Sequence, residues 1–183
     1  MLYTRKGDDG TTKAFGCDQR FSKSSIVAEA LGALDELNSF LGLVKVKIGE
    51  ATWQVNGRRP SDVFEWVQNG LFVVQAEVAG ASKKATKDMV TETEAMVDAL
   101  EKQLPPIKSF FISGGTESAA LLDVARTLSR KAERRVVAAA EEGKVVVGPE
   151  TLAFMNRLSS LLYAMARFAN HEVDIPEKAP WYN

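Results

Sequence analysis

Apolar residues recur along the chain with the spacing of packed helices. Over residues 26–48 they fall at alternating steps of four and three, which is typical of helices in antiparallel bundles. The same spacing recurs from Pro60 to about Ala81 and from about Pro149 to Asn170. The apolar positions of these segments are Ala30, Leu34, Leu37, Leu41, Val44 and Ile48; Phe64, Val67, Leu71, Val74 and Val78; and Met155, Leu158, Leu162, Met165 and Ala169.

Two further helices are predicted between these segments. Thr91 and Glu94 form a capping-box pattern that opens a short helix, which Pro105 and the proline after it end. Thr116 is predicted to cap a longer helix that ends at Gly143, because no glycine or proline interrupts the sequence between them. Their predicted inward faces are Val97, Leu100 and Leu104 for the first, and Leu121, Ala125, Leu128, Ala132, Val136 and Ala139 for the second.

These five helical runs of apolar residues, with no long alternating strand pattern, predict an all-α fold. The expected architecture is a five-helix bundle within one domain spanning residues 1–183. The bundle is expected over residues 26–171, after an extended, glycine-rich segment at 1–25 and before a tail at 172–183. The chain has 183 residues, 45% apolar and 26% charged, as in globular proteins. Its net charge of −1 gives no reason to expect nucleic acid or a membrane as a partner. The single Cys17 and the absence of a signal-like N-terminus favour a cytoplasmic protein.

Charged residues on the longest helix allow two interpretations. Arg126, Arg130 and Glu133 fall in one sector, nearly opposite the predicted apolar face. They form a solvated face if Asp123 pairs with Arg126 and Glu133 with Arg130. Alternatively, the two guanidinium groups bind an anion or a carboxylate from elsewhere, which arginine suits because it binds such groups bidentately. Asp35, beside the apolar face of the first helix, is either a solvated acid or a carboxylate that pairs with an arginine across an interface.

The N-terminal segment has the composition of an anion-binding loop. Residues 3–25 contain three glycines, several hydroxyl groups and several bases, and glycine lets backbone N–H groups approach an anion closely. A solvated turn between two extended pieces explains the same composition. The chain has one cysteine and one histidine, His171, near a predicted helix end, so zinc sites and cysteine–histidine nucleophile pairs are excluded.

Five motifs together resemble the PduO-type ATP:cob(I)alamin adenosyltransferases. They are, in chain order, YTRKGDDGTT, ALDELNSFLG, FFISGG, ARTLSRKAERRV and LAFMNRLSSLLYAMARFAN. The resemblance covers nearly the whole chain and implies a five-helix bundle that assembles as a homotrimer with active sites between subunits. The implied reaction is transfer of the 5′-deoxyadenosyl group of ATP to the cobalt of cob(I)alamin, with triphosphate as the leaving group.

The resemblance also implies roles for individual residues. Asp35 and Arg126 would pair across the subunit interface beside the corrin, and Phe110 would occupy the lower face of the cobalt. Mg²⁺ would accompany ATP, bound largely through phosphates and without a dedicated set of protein ligands. ATP would be bound by the loop residues Thr4, Arg5, Lys6, Gly7, Asp8, Gly10, Thr11, Thr12 and Lys23 and by Arg130, Glu133 and Asn156.

Two other functions remain open on the sequence. A non-catalytic bundle that senses or carries a nucleotide or cobalamin would keep the phosphate loop, but would not need Phe110, Asp35 and Arg126 together. A purely structural helical module would carry the loop and the arginines as surface residues. If the chain is an adenosyltransferase, a reductase and an adenosylcobalamin-dependent enzyme are its expected protein partners.

Overall fold

Five helices account for most of the chain in its computed structural model, which describes residues 3–13 and 19–182. They are α1 (Ile26–Ile48), α2 (Pro60–Val78), α3 (Lys87–Glu101), α4 (Glu117–Glu141) and α5 (Pro149–His171). The N-terminal segment adds a small antiparallel sheet of β1 (Thr11–Thr12) and β2 (Phe21–Ser22), with Thr11 opposite Ser22. The predicted five-helix fold is therefore confirmed, while Cys17 lies outside the described residues.

Most helix ends lie where the sequence predicts them. The Thr116 hydroxyl accepts a hydrogen bond from the Ala119 N–H at 3.0 Å, and so caps the first turn of α4. Gly143, just beyond the end of α4, has φ +67°, a conformation that favours glycine over residues with a side chain. Proline occupies the first turn of both α2 and α5, where its missing N–H costs no helical hydrogen bond.

Helix α3 begins earlier than the sequence suggested. Its N-cap is Thr86, whose hydroxyl accepts from the Met89 N–H at 3.4 Å, so the predicted capping box at Thr91 and Glu94 is wrong. Glu94 instead accepts a hydrogen bond from Arg157 of α5 at 2.9 Å. The buried face consists of Thr93, Met96 and Leu100, whereas Val97 and Leu104 are half-buried.

The core lies where neighbouring helices pack against one another. Helix α1 packs against α2 and α4, and α5 packs against α4 and α3. Every apolar position predicted for α1, α2 and α5 is buried, because a regular spacing of apolar residues places them all on one side of a helix. None of the helices in the described ranges is both long enough and apolar enough to cross a membrane.

The buried face of α4 differs from the prediction in a way that affects the site. Leu122 and Ser129 are fully buried, whereas Leu121 and Leu128, which were predicted to face inward, are only half-buried. The buried face is therefore turned toward the sector of Arg126 and Glu133. Both of these side chains are half-buried beside α5 instead of lying opposite the core.

Candidate functional site

A cleft of about 920 Å³ opens at one end of the bundle. One wall is formed by α4 and α5. The other is formed by two stretches without helix or strand, residues 107–115 (the aromatic segment) and residues 175–178 (the tail segment). Arg126, Arg130 and Tyr163 contribute polar groups from the helices, and Phe110 and Ile112 contribute apolar groups from the aromatic segment. The cleft thus combines cationic and apolar surfaces.

The two adjacent phenylalanines of the aromatic segment have different environments. Phe110 is 80% exposed and lines the cleft, so it does not fill the core of its own subunit. Phe111 is half-buried and lies against the guanidinium group of Arg167, 5.4 Å from its ring centroid. The structure thus makes Phe110 available to contact a molecule in the cleft, while Phe111 is packed against the bundle.

Arg126 is oriented by groups of its own subunit. Its Nε lies 3.2 Å from Asp123 Oδ1, and its guanidinium carbon is 5.6 Å from the centroid of the Tyr163 ring. The other carboxylate oxygen of Asp123 accepts a hydrogen bond from the Gly114 N–H at 3.3 Å, which links α4 to the aromatic segment. Burial raises the pKa of the Tyr163 phenol, so this ring faces the arginine as a neutral group at pH 7.

The remaining residues predicted to bind ATP on the helices lie along the α4–α5 groove. The Asn156 side-chain amide donates to Glu133 Oε1 at 3.0 Å, and its oxygen accepts from Arg157 at 2.7 Å. Arg157 in turn bonds Glu94, so a chain of hydrogen bonds crosses from α4 to α3. Arg130 is exposed and lines the cleft. Glu133 and Asn156 are therefore brought together, with Arg130 one turn of α4 away from Glu133.

Asp35 is separate from this group within one subunit. It is exposed on α1 and does not line the cleft, and the carboxylate that pairs with Arg126 is that of Asp123. Its neighbour Glu36 forms an ion pair with Lys131 of α4. The predicted pair between Asp35 and Arg126 is thus not made within the subunit and stays a prediction for the assembly.

The predicted ATP loop is a tight turn followed by the small sheet. Residues 5–10 form turns, in which Arg5 and Gly10 have φ of +59° and +79°. Lys23, at the other end of the loop, donates a hydrogen bond from its ammonium group to the Gly7 carbonyl at 2.7 Å and so closes the loop. Most of the loop residues are exposed, and none of the described ones lines the cleft.

Two loop residues that the sequence did not single out hold this turn together. The Arg20 guanidinium donates to the Thr11 hydroxyl at 2.7 Å, to the Thr11 carbonyl at 2.9 Å and to the Lys6 carbonyl. Asp9 accepts from both the N–H and the hydroxyl of Thr11, at 2.9 and 2.7 Å, and these bonds hold the pKa of its carboxyl below the ordinary value. Arg20 and Asp9 give no periodic signal, so the sequence does not distinguish them from other charged loop residues.

The sequence also gave no indication of the residues that attach the aromatic segment to α5. Asn170 donates from its amide to the Gly114 carbonyl at 2.8 Å and accepts from the Thr116 N–H at 2.9 Å. A Cβ on Gly115, which has φ +101°, would lie only 2.4 Å from the Asn170 side-chain oxygen. Glycine is therefore required there both for its backbone conformation and for this close approach.

The cleft has the groups needed to bind an anionic or aromatic molecule, but no set of side chains suited to a bound metal. Across residues 3–13 and 19–182, no group of three or more histidine, cysteine, aspartate or glutamate side chains is placed to hold a metal ion. The arginines that line the cleft, Arg126, Arg130 and Arg167, suit carboxylate or phosphate oxygens.

Comparison with known proteins identifies relatives along most of the chain. The sequence model of the cobalamin adenosyltransferase family matches residues 2–169. The corrinoid adenosyltransferase of Bacillus subtilis (strain 168) is 35% identical over 173 residues, covering 92% of this chain and 86% of that protein. The corrinoid adenosyltransferase PduO of Citrobacter freundii is 36% identical over 178 residues. This match covers 93% of this chain but only 50% of the Citrobacter protein, so the chain spans about half the length of that relative.

A solved structure has the same fold. It is that of a phenylalanine-to-alanine variant of the PduO-type ATP:corrinoid adenosyltransferase from Lactobacillus reuteri, complexed with cobalamin and ATP. The two chains superpose with a TM-score of 0.86 and 30% sequence identity, and the match covers 100% of each.

Proposed function

The chain belongs to the cobalamin adenosyltransferase family, and we propose that it transfers the 5′-deoxyadenosyl group of ATP to the cobalt of cob(I)alamin. The observation that carries this proposal is the cleft in which Arg126, Arg130 and the exposed ring of Phe110 face one space. The Lactobacillus reuteri relative was complexed with both cobalamin and ATP, and a cleft with cationic and apolar walls suits that pair of substrates.

In the proposed reaction the cobalt atom is the nucleophile. A cobalt–carbon bond forms at C5′ of ATP while the bond between C5′ and the triphosphate oxygen breaks, and triphosphate leaves with the electron pair. Cobalt is formally oxidised from Co(I) to Co(III). No general base is required, because cob(I)alamin already carries the reacting electron pair. The protein would accelerate the step by aligning cobalt with C5′ and by neutralising the leaving triphosphate.

Two separate parts of the chain would bind ATP. Arg130, Glu133 and Asn156 would hold the nucleoside end, and the loop from Thr4 to Thr12, with Lys23, would surround the triphosphate. The loop offers backbone N–H groups, hydroxyls and cations, a donor set that suits phosphate oxygens. Mg²⁺ would therefore be coordinated by the phosphates and water, as this ion usually is at nucleotide sites.

The separation of these parts within one subunit supports a site shared between subunits. The described loop residues and Asp35 do not line the cleft of their own chain, and the carboxylate paired with Arg126 there is that of Asp123. In a homotrimer, the loop of one subunit would complete the ATP site of the next, and Asp35 would pair with Arg126 across the interface. Phe110 and Ile112, which are 80% and 58% exposed, would then be covered by substrate or by the neighbouring subunit.

Phe110 would act on the lower face of the cobalt. An axial ligand there donates electron density to Co(II) and so opposes its reduction to Co(I). A phenylalanine ring excludes water and offers no lone pair, so it favours the four-coordinate Co(II) state that is easier to reduce. We assign the reaction to the cytoplasm, because ATP and cellular reductants are both needed. A reductase would donate the electrons, and an adenosylcobalamin-dependent enzyme would receive the product.

Mixing the protein with ATP and chemically reduced cob(I)alamin under anaerobic conditions tests this function. The expected result is a new absorbance spectrum that reverts on exposure to light, because the cobalt–carbon bond of an alkylcobalamin is photolabile. A protein that bound both substrates without forming this product would be a carrier or sensor. A protein that bound neither would be a structural module.

A further inference from the structure

Arg167 is a charged residue buried near the end of α5. Only 6% of its surface is exposed, and the nearby buried positions Met165 and Ala169 are apolar. Its guanidinium group binds both carboxylate oxygens of Glu177, in the tail segment, with Nη2 2.9 Å from Oε2. The same Nη2 donates to the carbonyl of Pro105 at 2.7 Å. One side chain therefore bonds both the tail and the stretch that leads into the aromatic segment.

Arg167 and the tail segment each make a contact with the aromatic segment. The Arg167 guanidinium lies 5.4 Å from the Phe111 ring centroid, with the Tyr163 ring at 6.0 Å. One residue further along, the Ile112 N–H donates to the Lys178 carbonyl of the tail segment at 2.8 Å. The residues on either side of the Phe111–Ile112 peptide are thus each fixed by an interaction that involves Arg167 or the tail.

The placement of Phe110 gives these contacts a functional meaning. It directly precedes Phe111 and projects into the cleft, so the direction of its side chain depends on a backbone that has neither helix nor strand to hold it. A buried arginine is costly unless it is paired, and a leucine or methionine at position 167 would fill the same space without that cost. The ion pair is therefore not needed simply to fill the core.

We propose that Arg167 and Glu177 are positioning residues, which dock the tail segment against the aromatic segment and so fix Phe110 toward the bound corrinoid. The inference rests on the proposed function, because it uses the role assigned to Phe110. Neither residue touches the reacting atoms. The pair acts through the backbone of residues 110–112, and its loss should affect the cobalt step without affecting the loop that binds the triphosphate.

The test uses Glu177→Gln in the full-length chain, with Glu172→Gln as the matched control. Glutamine keeps the size of Glu177 but removes the charge and places an amide donor against the donors of Arg167. Glu172 is an exposed tail acid of the same type. Trypsin cleavage after Lys178, followed by mass spectrometry, reports whether the tail segment is docked. Cleavage should become about tenfold faster in Glu177→Gln, because proteolysis follows the population of the open state, and should be unchanged in Glu172→Gln.

The cobalt step is measured on the same two variants. With cob(II)alamin and a reductant, kcat of Glu177→Gln should fall about tenfold with the KM for ATP unchanged, and the four-coordinate Co(II) signal in electron paramagnetic resonance should decrease. Pre-reduced cob(I)alamin should restore most of the rate. Glu177→Asp, which keeps the charge on a shorter side chain, should recover part of both the signal and the rate. A Glu172→Gln protein should match the wild type in every measurement.

Two results for the variant would overturn the proposal. Faster cleavage with an undiminished four-coordinate signal would mean that the pair only attaches the tail, and unchanged cleavage would mean that the pair does not dock it. Failure of the proposed function would look different, because the wild-type protein itself would then give neither adenosylcobalamin nor a four-coordinate signal. That result would overturn the positioning role as well, whatever the cleavage rates.

Discussion

The carboxylate of Glu77 allows a quantitative prediction about stability. Glu77 is 3% exposed near the end of α2, and its Oε1 accepts a hydrogen bond from the Gly148 N–H at 2.8 Å. Its Oε2 accepts from the Thr151 hydroxyl, in the first turn of α5. Alanine at this position would leave both donors without this partner, and Thr151 is fully buried. A buried hydrogen bond to a charged group is worth about 1.5–3 kcal/mol, so Glu77→Ala should lower the free energy of unfolding by about 3 kcal/mol or more.

Urea unfolding followed by circular dichroism measures this loss. A control variant, Glu141→Ala, removes the same type of residue from the last turn of α4, where the side chain is exposed. The control should change the free energy of unfolding by no more than about 0.5 kcal/mol. For a chain of this length, 3 kcal/mol corresponds to a fall in Tm of about 6–12 °C. All variants must be compared at one protein concentration, because assembly contributes to apparent stability. A loss for Glu77→Ala as small as that of the control would refute the proposed role of Glu77 in anchoring α5.

Three further predictions concern the site. Asp35→Asn and Arg126→Ala should each lower kcat, and the double variant should have a kcat little lower than that of either single variant. The coupling energy should be about 1–3 kcal/mol. Fully additive losses would mean that the two residues do not pair. Arg130→Ala should weaken ATP binding by about 1.5–3 kcal/mol in calorimetry, the scale of a charge-assisted hydrogen bond. An unchanged affinity would mean that Arg130 is a solvated surface residue that does not bind ATP. Phe110→Ala should fold and bind ATP as the wild type does, but it should lose the four-coordinate Co(II) signal and show a lower kcat with cob(II)alamin as substrate. A variant that kept this signal would exclude Phe110 from the lower face of the cobalt.

The helices could be predicted because their signals are local. Apolar residues repeat along α1, α2 and α5, and the residues that begin or end helices, such as Thr116 and Gly143, act within one turn of their own position. The start of α3 was mispredicted because Thr86 and Thr91 are both followed by an acid in the next turn, and local chemistry does not choose between them. Packing favours the earlier start, because Met89 and Val90 in the added first turn pack against the core.

The candidate site residues came from helical spacing, as for Arg126, or from the family resemblance, as for Phe110, and their roles stay predictions. Neither source indicated that α4 turns Arg126 toward Tyr163. The orientation depends on whether Leu121 or Leu122 is buried, and adjacent leucines carry no signal that separates them. The pairing of Arg167 with Glu177 was missed for a different reason. It joins a helix to a tail without periodic structure, so no spacing rule relates the two residues.

If the chain attaches the adenosyl group of ATP to cobalt, intact triphosphate is the leaving group. The most direct test measures both products of one anaerobic reaction with cob(I)alamin, using mass spectrometry for adenosylcobalamin and ion chromatography for the released phosphates. We expect one intact inorganic triphosphate for each adenosylcobalamin formed, without ADP or orthophosphate in matching amounts. Release of ADP and orthophosphate without adenosylcobalamin would contradict it, because the cleft would then be the site of an ordinary ATP hydrolase.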